Sequence, residues 1–285
     1  MPGKKEKRRS GRGKASILLT NDDGIHAPGL TALYEALLPL GNVTVVAPEH
    51  ERSAVSHAIT LHQPLRLRQV RLKDGLSGYC TNGTPADCVK LGVRAVLKSF
   101  PDIVVSGINP GPNTGFSVLY SGTVSAAREG AMYGIPSMAV SLASHAPDVD
   151  FSYAASFAAL LARKIISGCF MPSGSLLNVN IPAGAVKGVK FTKQSVQVFK
   201  DQFEKRKDPR NREYYWLSGE FFGGNRDADM DSEAVRRGYI SLTPLNCDVT
   251  NHALLAELRK KQSMAIVKKH EARSMKDEMC YPEKG

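Results

Sequence analysis

SILLTNDDG, residues 16–24, decides how the rest of the chain is read. A short apolar run stops abruptly at Asn21-Asp22-Asp23-Gly24, as a buried strand does when it meets a polar turn. Pro28 suits the first turn of a following helix, in which Leu30, Leu33, Leu37 and Leu40 recur at helical spacing. NVTVVAP at 42–48 is the next strand. Thr84-Pro85 reads as an N-cap with proline at the first helical position, which predicts a helix to about Lys98. The alternation continues with strand DIVVS at 102–106, a helix over 121–132 and strand PSMAVSL at 136–142. Strands this apolar are buried on both faces, which predicts an α/β fold with a mostly parallel sheet covered by helices.

Past residue 150 the pattern changes. One more helix is expected at 151–167 and one more strand at 175–181. Residues 189–220 put strand-like segments on either side of the charged stretch KDQFEKRKDPRNRE, which reads as a long projecting hairpin with Asp208-Pro209 near its tip. A late strand, GYISLTPL, and a helix over 250–262 follow.

The chain has 285 residues, 42% of them hydrophobic, enough for a sizeable packed core. Its net charge of +11 is carried by the ends. Residues 1–14 hold seven Lys/Arg against Glu6, giving +6; residues 259–285 hold eight against four acids, giving +4; the stretch between them has +1. This predicts basic tails at 1–14 and 259–285 around one domain at 15–258. No aromatics interleave with the tail charges, so solvated tails are favoured over a nucleic-acid surface. The five cysteines include no C-x-x-C pair, which argues against a disulfide framework or a zinc site and for a reducing compartment. Only Ile17, Leu18 and Leu19 form an apolar run near the start, too short for a secretory signal. A cytoplasmic location is expected.

In open α/β sheets ligands bind beyond the carboxyl ends of the parallel strands. Asp22 and Asp23 stand at that end of the first strand, Ser53 in the loop after the second, and Asn109 directly after DIVVSGI. Adjacent carboxylates repel unless a cation or proton intervenes, and hard oxygen ligands favour Mg²⁺ or Mn²⁺ over zinc. Gly107–Gly115 is rich in glycine and suits a nest of amides for an anion, and Ser121-Gly122-Thr123 opens a helix whose free amides offer a second anion site. A cation beside an anion cradle is equipment for phosphoryl transfer. Two chemistries stay open: water attacking phosphorus with Asp22 or Asp23 taking its proton, or one of these carboxylates attacking directly.

Five segments in order then carry a resemblance: ILLTNDDG (17–24), PEHERSAVSHAIT (48–60), NGTPADCVKLG (82–92), VVSGINPGPNTG (104–115) and YSGTVSAAREGAMYGIP (120–136). They resemble the SurE family, survival-protein-E nucleotidases that hydrolyse nucleoside monophosphates, over about Ile17 to Asn251. The resemblance implies one divalent metal ion, Mg²⁺ or Mn²⁺, held by Asp22, Asp23, Ser53 and Asn109. It places Asn113, Ser121, Gly122 and Thr123 around the phosphate. It also implies a three-layer α/β/α sandwich, with the hairpin and a C-terminal segment exchanged between subunits of a homodimer or tetramer. Substrates would be 5′- and often 3′-nucleotides, with short polyphosphate for some members. Ala54 stands where the family usually has glycine, Glu51 where it has asparagine, and Phe116-Ser117 where acids are common.

Other residues receive blander readings. His57 and His26 could donate protons, but each lacks a visible partner and reads as an ordinary loop histidine. Glu129 reads as helix scaffold, Asp248 and His252 as a structural pair one helical turn apart, and Trp216 with Tyr214-Tyr215 as packing or interface. Against the enzyme stand a receiver-like signalling module and a tail-driven nucleic-acid binder. A receiver needs an acceptor Asp at the carboxyl end of a later strand; Asp102 lies at the wrong end of its own.

Overall fold

The computed structural model describes residues 14–72, 77–196, 198–222 and 227–262. Its elements in chain order are β1 (Ala15–Thr20), α1 (Pro28–Leu37), β2 (Gly41–Pro48), β3 (Leu67–Arg71), β4 (Ser77–Thr81) and α2 (Pro85–Leu91). Next come β5 (Ile103–Pro110), α3 (Ser117–Tyr120), α4 (Gly122–Met132), β6 (Ser137–Ala143), α5 (Ser152–Ile166) and β7 (Leu176–Pro182). The last are β8 (Gly188–Phe191), β9 (Val198–Lys207), β10 (Glu213–Phe222), α6 (Asp231–Arg236), β11 (Tyr239–Leu245) and α7 (His252–Gln262).

One sheet holds nine strands in the order β3-β4-β2-β1-β5-β6-β7-β11-β8. The six from β4 to β7 in that order run parallel, while β3 and β11 are antiparallel to β4 and β7. The chain winds outward from β1 through β2 to β4, then returns to β5 and winds the other way through β6 to β7. The winding reverses between β1 and β5, and this switch point opens a crevice beyond their carboxyl ends.

Alternate residues of β1 enter different cores. Ile17 and Leu19 pack with Leu30, Leu33 and Leu37 of α1 and with α5, whereas Leu18 packs with Cys88 and Val89 of α2 and Ala126 of α4. Helices therefore cover both faces of the sheet, giving a three-layer α/β/α sandwich. This explains why the six parallel strands carry no charged residue. Each fully buried leucine contributes roughly 1.5–3 kcal/mol.

Local signals set the helix starts. Pro28 opens α1, and Thr84 caps α2 through a reciprocal pair with Asp87. The α2 region ends at Val96, after one π turn over Gly92–Val96, rather than at Lys98. The hairpin is also shorter than expected over 189–220. Residues of β8 join the main sheet parallel to β11, because their alternating Val189 and Phe191 find an edge to pair with. The hairpin proper is β9–β10, paired from Val198↔Phe222 to Lys207↔Glu213, with Asp208 accepting backbone bonds from Arg210 and Arg212 at its tip. Strands β3 and β4 and the short α6 have no counterpart in the sequence reading. β3 is an exposed edge with a weak pattern, and β4 is five residues long with Gly78 inside it.

Among the described residues the chain divides into two compact units, one up to Cys247 and one from Asp248. Within the second, His252 Nε2 lies 2.8 Å from Asp248 Oδ2, the one-turn pairing expected from their spacing. Most of the expected basic tails, residues 1–13 and 263–285, lies outside the described residues. Among those described, no helix is long and apolar enough to cross a membrane, and Cys80, Cys88, Cys169 and Cys247 are free thiols.

Candidate active site at the sheet switch point

Beyond β1 the side chain of Asn21 closes the turn on itself. Its Nδ2 donates to Gly24 O at 2.9 Å and its Oδ1 accepts from Gly24 N at 3.3 Å. This fixes Asp22 and Asp23 in a tight bend. The loop after β2 is drawn to the same place by Arg52 N, which donates to Asp22 O at 2.7 Å. β5 runs past a bulge after Ser106 to Pro110, so Asn109 ends a strand rather than standing in a loop. Asp23, Ser53 and Asn109 then line one cleft of about 510 Å³, together with Glu51 and His145. Three of the four expected metal ligands share that cavity.

Asp22 is buried and does not line the cleft; Thr123 Oγ1 donates to its carboxylate. A Cβ on Gly122 would lie 2.7 Å from Asp22 Cβ, so only glycine lets the start of α4 approach this closely. Burial pushes the Asp22 carboxyl up, and the bonds from Thr123 pull it part of the way back. Asp23 is pushed up to about 7, first by burial and then by the charges of Asp22 and Glu51. Its Oδ2 is buried without a hydrogen-bond partner.

This set of atoms fits a hard cation. A buried carboxylate oxygen with nothing to bond is relieved by a positive charge. Asn109 Nδ2 donates to Gly111 O at 2.8 Å, which leaves Oδ1 as its free acceptor. Ser53 Oγ donates to Glu51 Oε1 at 2.7 Å and keeps lone pairs of its own. The donor atoms of Asp23, Ser53 and Asn109 are all oxygen, the preference of Mg²⁺ or Mn²⁺.

The remaining candidates are engaged inside the protein. Asn113 donates from its backbone N to Asn180 Oδ1 at 2.7 Å and from Nδ2 to Ser141 Oγ at 2.8 Å, while its carbonyl accepts from Asn178 and Asn180. Ser121 caps α4 by accepting from Val124 N at 3.1 Å. The amides of Gly111 and Gly115 donate to Leu142 O and Asp231 Oδ2. Those along Gly107–Gly115 are therefore not an open nest; at Gly111, Asn113 and Gly115 they knit the loop to β6, β7 and α6.

Several site residues escaped the sequence reading. Glu51 adds a second carboxylate to the cleft, and His145 a ring that packs against Gly111, where a Cβ would lie 2.2 Å from His145 Cε1. His145 follows β6, the next parallel strand, so the carboxyl-end rule already used for Asp22 and Asn109 would have found it. His57 has a partner after all, because its Nε2 lies 2.9 Å from Glu129 Oε2. His26 is exposed and does not line the cleft.

Fold and cleft together define a class: a doubly wound, three-layer α/β protein with an acidic, oxygen-lined site at the switch point of its sheet. The chain belongs to the survival protein SurE family, whose model matches residues 17–201. A relative from Moorella thermoacetica is 50% identical over 246 residues, covering 85% of this chain and 94% of its own length. One from Caldanaerobacter subterraneus subsp. tengcongensis is 47% identical over 252 residues, covering 86% and 97%. Both are named 5′-nucleotidase SurE. The crystal structure of the SurE protein from Aquifex aeolicus superposes with a TM-score of 0.74 at 40% identity, covering 86% of this chain and 99% of that one.

Proposed function

We propose that the chain is a metal-dependent phosphomonoesterase that hydrolyses nucleoside monophosphates, 5′- and also 3′-nucleotides, with short polyphosphate as a further substrate. The observation that carries the metal site is Asp23 Oδ2, a buried carboxylate oxygen without a hydrogen-bond partner on a residue that lines the same cleft as Ser53 and Asn109. Asp22, Asp23, Ser53 and Asn109 would hold one Mg²⁺ or Mn²⁺. When bound, such an ion neutralises phosphoryl oxygens and lowers the proton affinity of water.

The protein groups divide the remaining work. Asp22 Oδ1 already accepts from Thr123, so Asp23 is the carboxylate left to take a proton from the attacking water, at the oxygen not turned to the ion. The water oxygen bonds to phosphorus as the phosphorus–ester oxygen bond breaks, and the departing nucleoside oxygen takes its proton from the carboxyl of Asp23 or from solvent. Asn113, Ser121, Gly122 and Thr123 are assigned to the phosphate side. Pro110, Val149 and Phe151 give the cleft an apolar wall, suited to a substrate with a base at one end and a phosphate at the other. The names borne by the relatives support the nucleotide assignment. The proposal also includes a cytoplasmic location and a homo-oligomer built through the β9–β10 hairpin, whose Phe203, Tyr215, Trp216 and Leu217 are exposed.

The test uses metal-stripped full-length protein and a panel of 5′- and 3′-mononucleotides, sugar phosphates and polyphosphate, each with and without Mg²⁺ or Mn²⁺. Phosphate release from mononucleotides that requires the metal is expected. Folded protein that releases none with any ion refutes the proposal. A labelled phospho-enzyme trapped on Asp23 would shift the chemistry to direct attack by the carboxylate.

A further inference from the structure

Glu129 is a buried carboxylate, 3% exposed, that the reaction outlined above does not use. Its Oε1 accepts from Lys90 Nζ at 2.6 Å, and its Oε2 lies 2.9 Å from His57 Nε2. Burial alone would push its carboxyl up; the bonds from His57 and Lys90 outweigh that and hold it below the ordinary value. Lys90 comes from α2, Glu129 from α4, and His57 from the loop that brings Ser53 to the cleft.

That loop is strained. Ala54 and Ser56 both have φ of +55°, left-handed backbone that side chains other than glycine adopt at a cost. Such a conformation persists only where its surroundings hold it. Ser56 donates from N to Tyr120 O at 2.9 Å and from Oγ to Leu119 O at 2.8 Å. Thr60 N donates to both oxygens of Asp87, at 3.1 and 3.2 Å. The His57–Glu129 bond is the side-chain link from this loop to the body of α4. It differs from the others in one respect: α4 is also the helix whose first turn, through Thr123, holds Asp22.

We propose that Glu129 is a positioning residue. It fixes the Ser53 loop to α4 through His57, so that one rigid helix sets the spacing between the Asp22–Asp23 turn and Ser53. The inference rests on the metal-dependent reading above and adds the residues that keep the ligand set assembled before the cation arrives. A charged side chain in this role acts through the loop and touches no substrate.

The test is made on metal-stripped full-length protein carrying His57→Ala, His57→Gln or Glu129→Leu. Three readouts are used: Mn²⁺ binding by calorimetry, hydrogen exchange of peptides spanning residues 51–60, and kcat and KM at saturating Mn²⁺. His57→Ala should weaken Mn²⁺ about tenfold, the scale on which groups supporting a ligand act, and speed exchange in the loop, with a smaller loss in kcat at saturation. His57→Gln, which can still donate to Glu129, should restore Mn²⁺ affinity. Glu129→Leu should match His57→Ala; if it fails to fold, the two His57 variants decide the matter. Unchanged Mn²⁺ affinity and loop exchange in His57→Ala would overturn this inference alone. Wild-type protein that neither binds Mn²⁺ nor releases phosphate would overturn the metal-dependent reading, and this one with it.

Discussion

Two neighbouring carboxylates meet different surroundings at the end of β1. Asp22 is spoken for by Thr123 and the start of α4, whereas Asp23 keeps a buried oxygen with no partner and is pushed up to about 7. Asp23→Asn should therefore separate stability from activity. Removing a buried charge that faces Asp22 and Glu51 should stabilise the metal-free protein by about 1–2 kcal/mol above neutral pH. That is a rise in Tm of roughly 2–4 °C per kcal/mol for a domain of this size. Turnover should fall by orders of magnitude, and near-normal activity with added metal would disprove the ligand assignment. Ala54 allows a second experiment. At φ +55° glycine escapes a penalty of about 1–2 kcal/mol and gives back part of it as chain entropy. Ala54→Gly should thus raise stability by about 0.5–1 kcal/mol in thermal melts; a loss would show the loop to be unstrained. The acid pair was legible because it interrupts an apolar strand. The His57–Glu129 bond was not, since 72 residues separate its ends and neither has a periodic context that marks it.

At the scale of elements, legibility followed burial. β1, β2, β5, β6 and β7 are largely buried and carry no charged residue, and they are legible within a few residues of their limits, as are α1, α4 and α5 with their prolines, caps and leucine spacing. β3, β4 and β8 are short or lie toward the sheet edges, where one face meets solvent and the pattern fades. The hairpin is the opposite case, plain in sequence yet left without a layer to pack on. In its register Phe203 faces Leu217 and Lys205 faces Tyr215, so one side presents Phe203, Tyr215 and Leu217. A two-stranded ribbon is marginal by itself in water, and an exposed apolar side of this kind calls for a cover. Replacing residues 203–217 by a short turn should reduce the mass measured by light scattering toward the 30.9 kDa of one chain. Metal-dependent turnover per subunit should fall much less, because none of the residues lining the cleft lies in the hairpin. An unchanged mass would remove the hairpin from the assembly.

Across the whole molecule, charge and chemistry are segregated. The site is acidic, with Asp22, Asp23 and Glu51 gathered at the switch point, while +6 of the net +11 belongs to residues 1–14. An anionic substrate approaching that acidic cleft would gain attraction chiefly from the cation proposed to sit there. Residues 1–14 join β1 at Ala15, the end opposite the Asp22–Asp23 turn, and solvent-exposed charges are screened beyond about 8 Å at physiological salt. The same segment can hold polyanions loosely, because each phosphate contact releases counterions, and such binding weakens steeply as salt is added. Deleting residues 1–14 should accordingly leave kcat and KM for mononucleotides within about twofold at 0.15 M salt. Any retention on RNA or heparin at low salt should drop at the same time. The measurement is a pair of assays on the truncated and full chains, steady-state phosphate release and elution from a heparin column. Turnover that disappears with the tail, while metal binding and the melting profile stay intact, would mean that the basic segment takes part in the reaction.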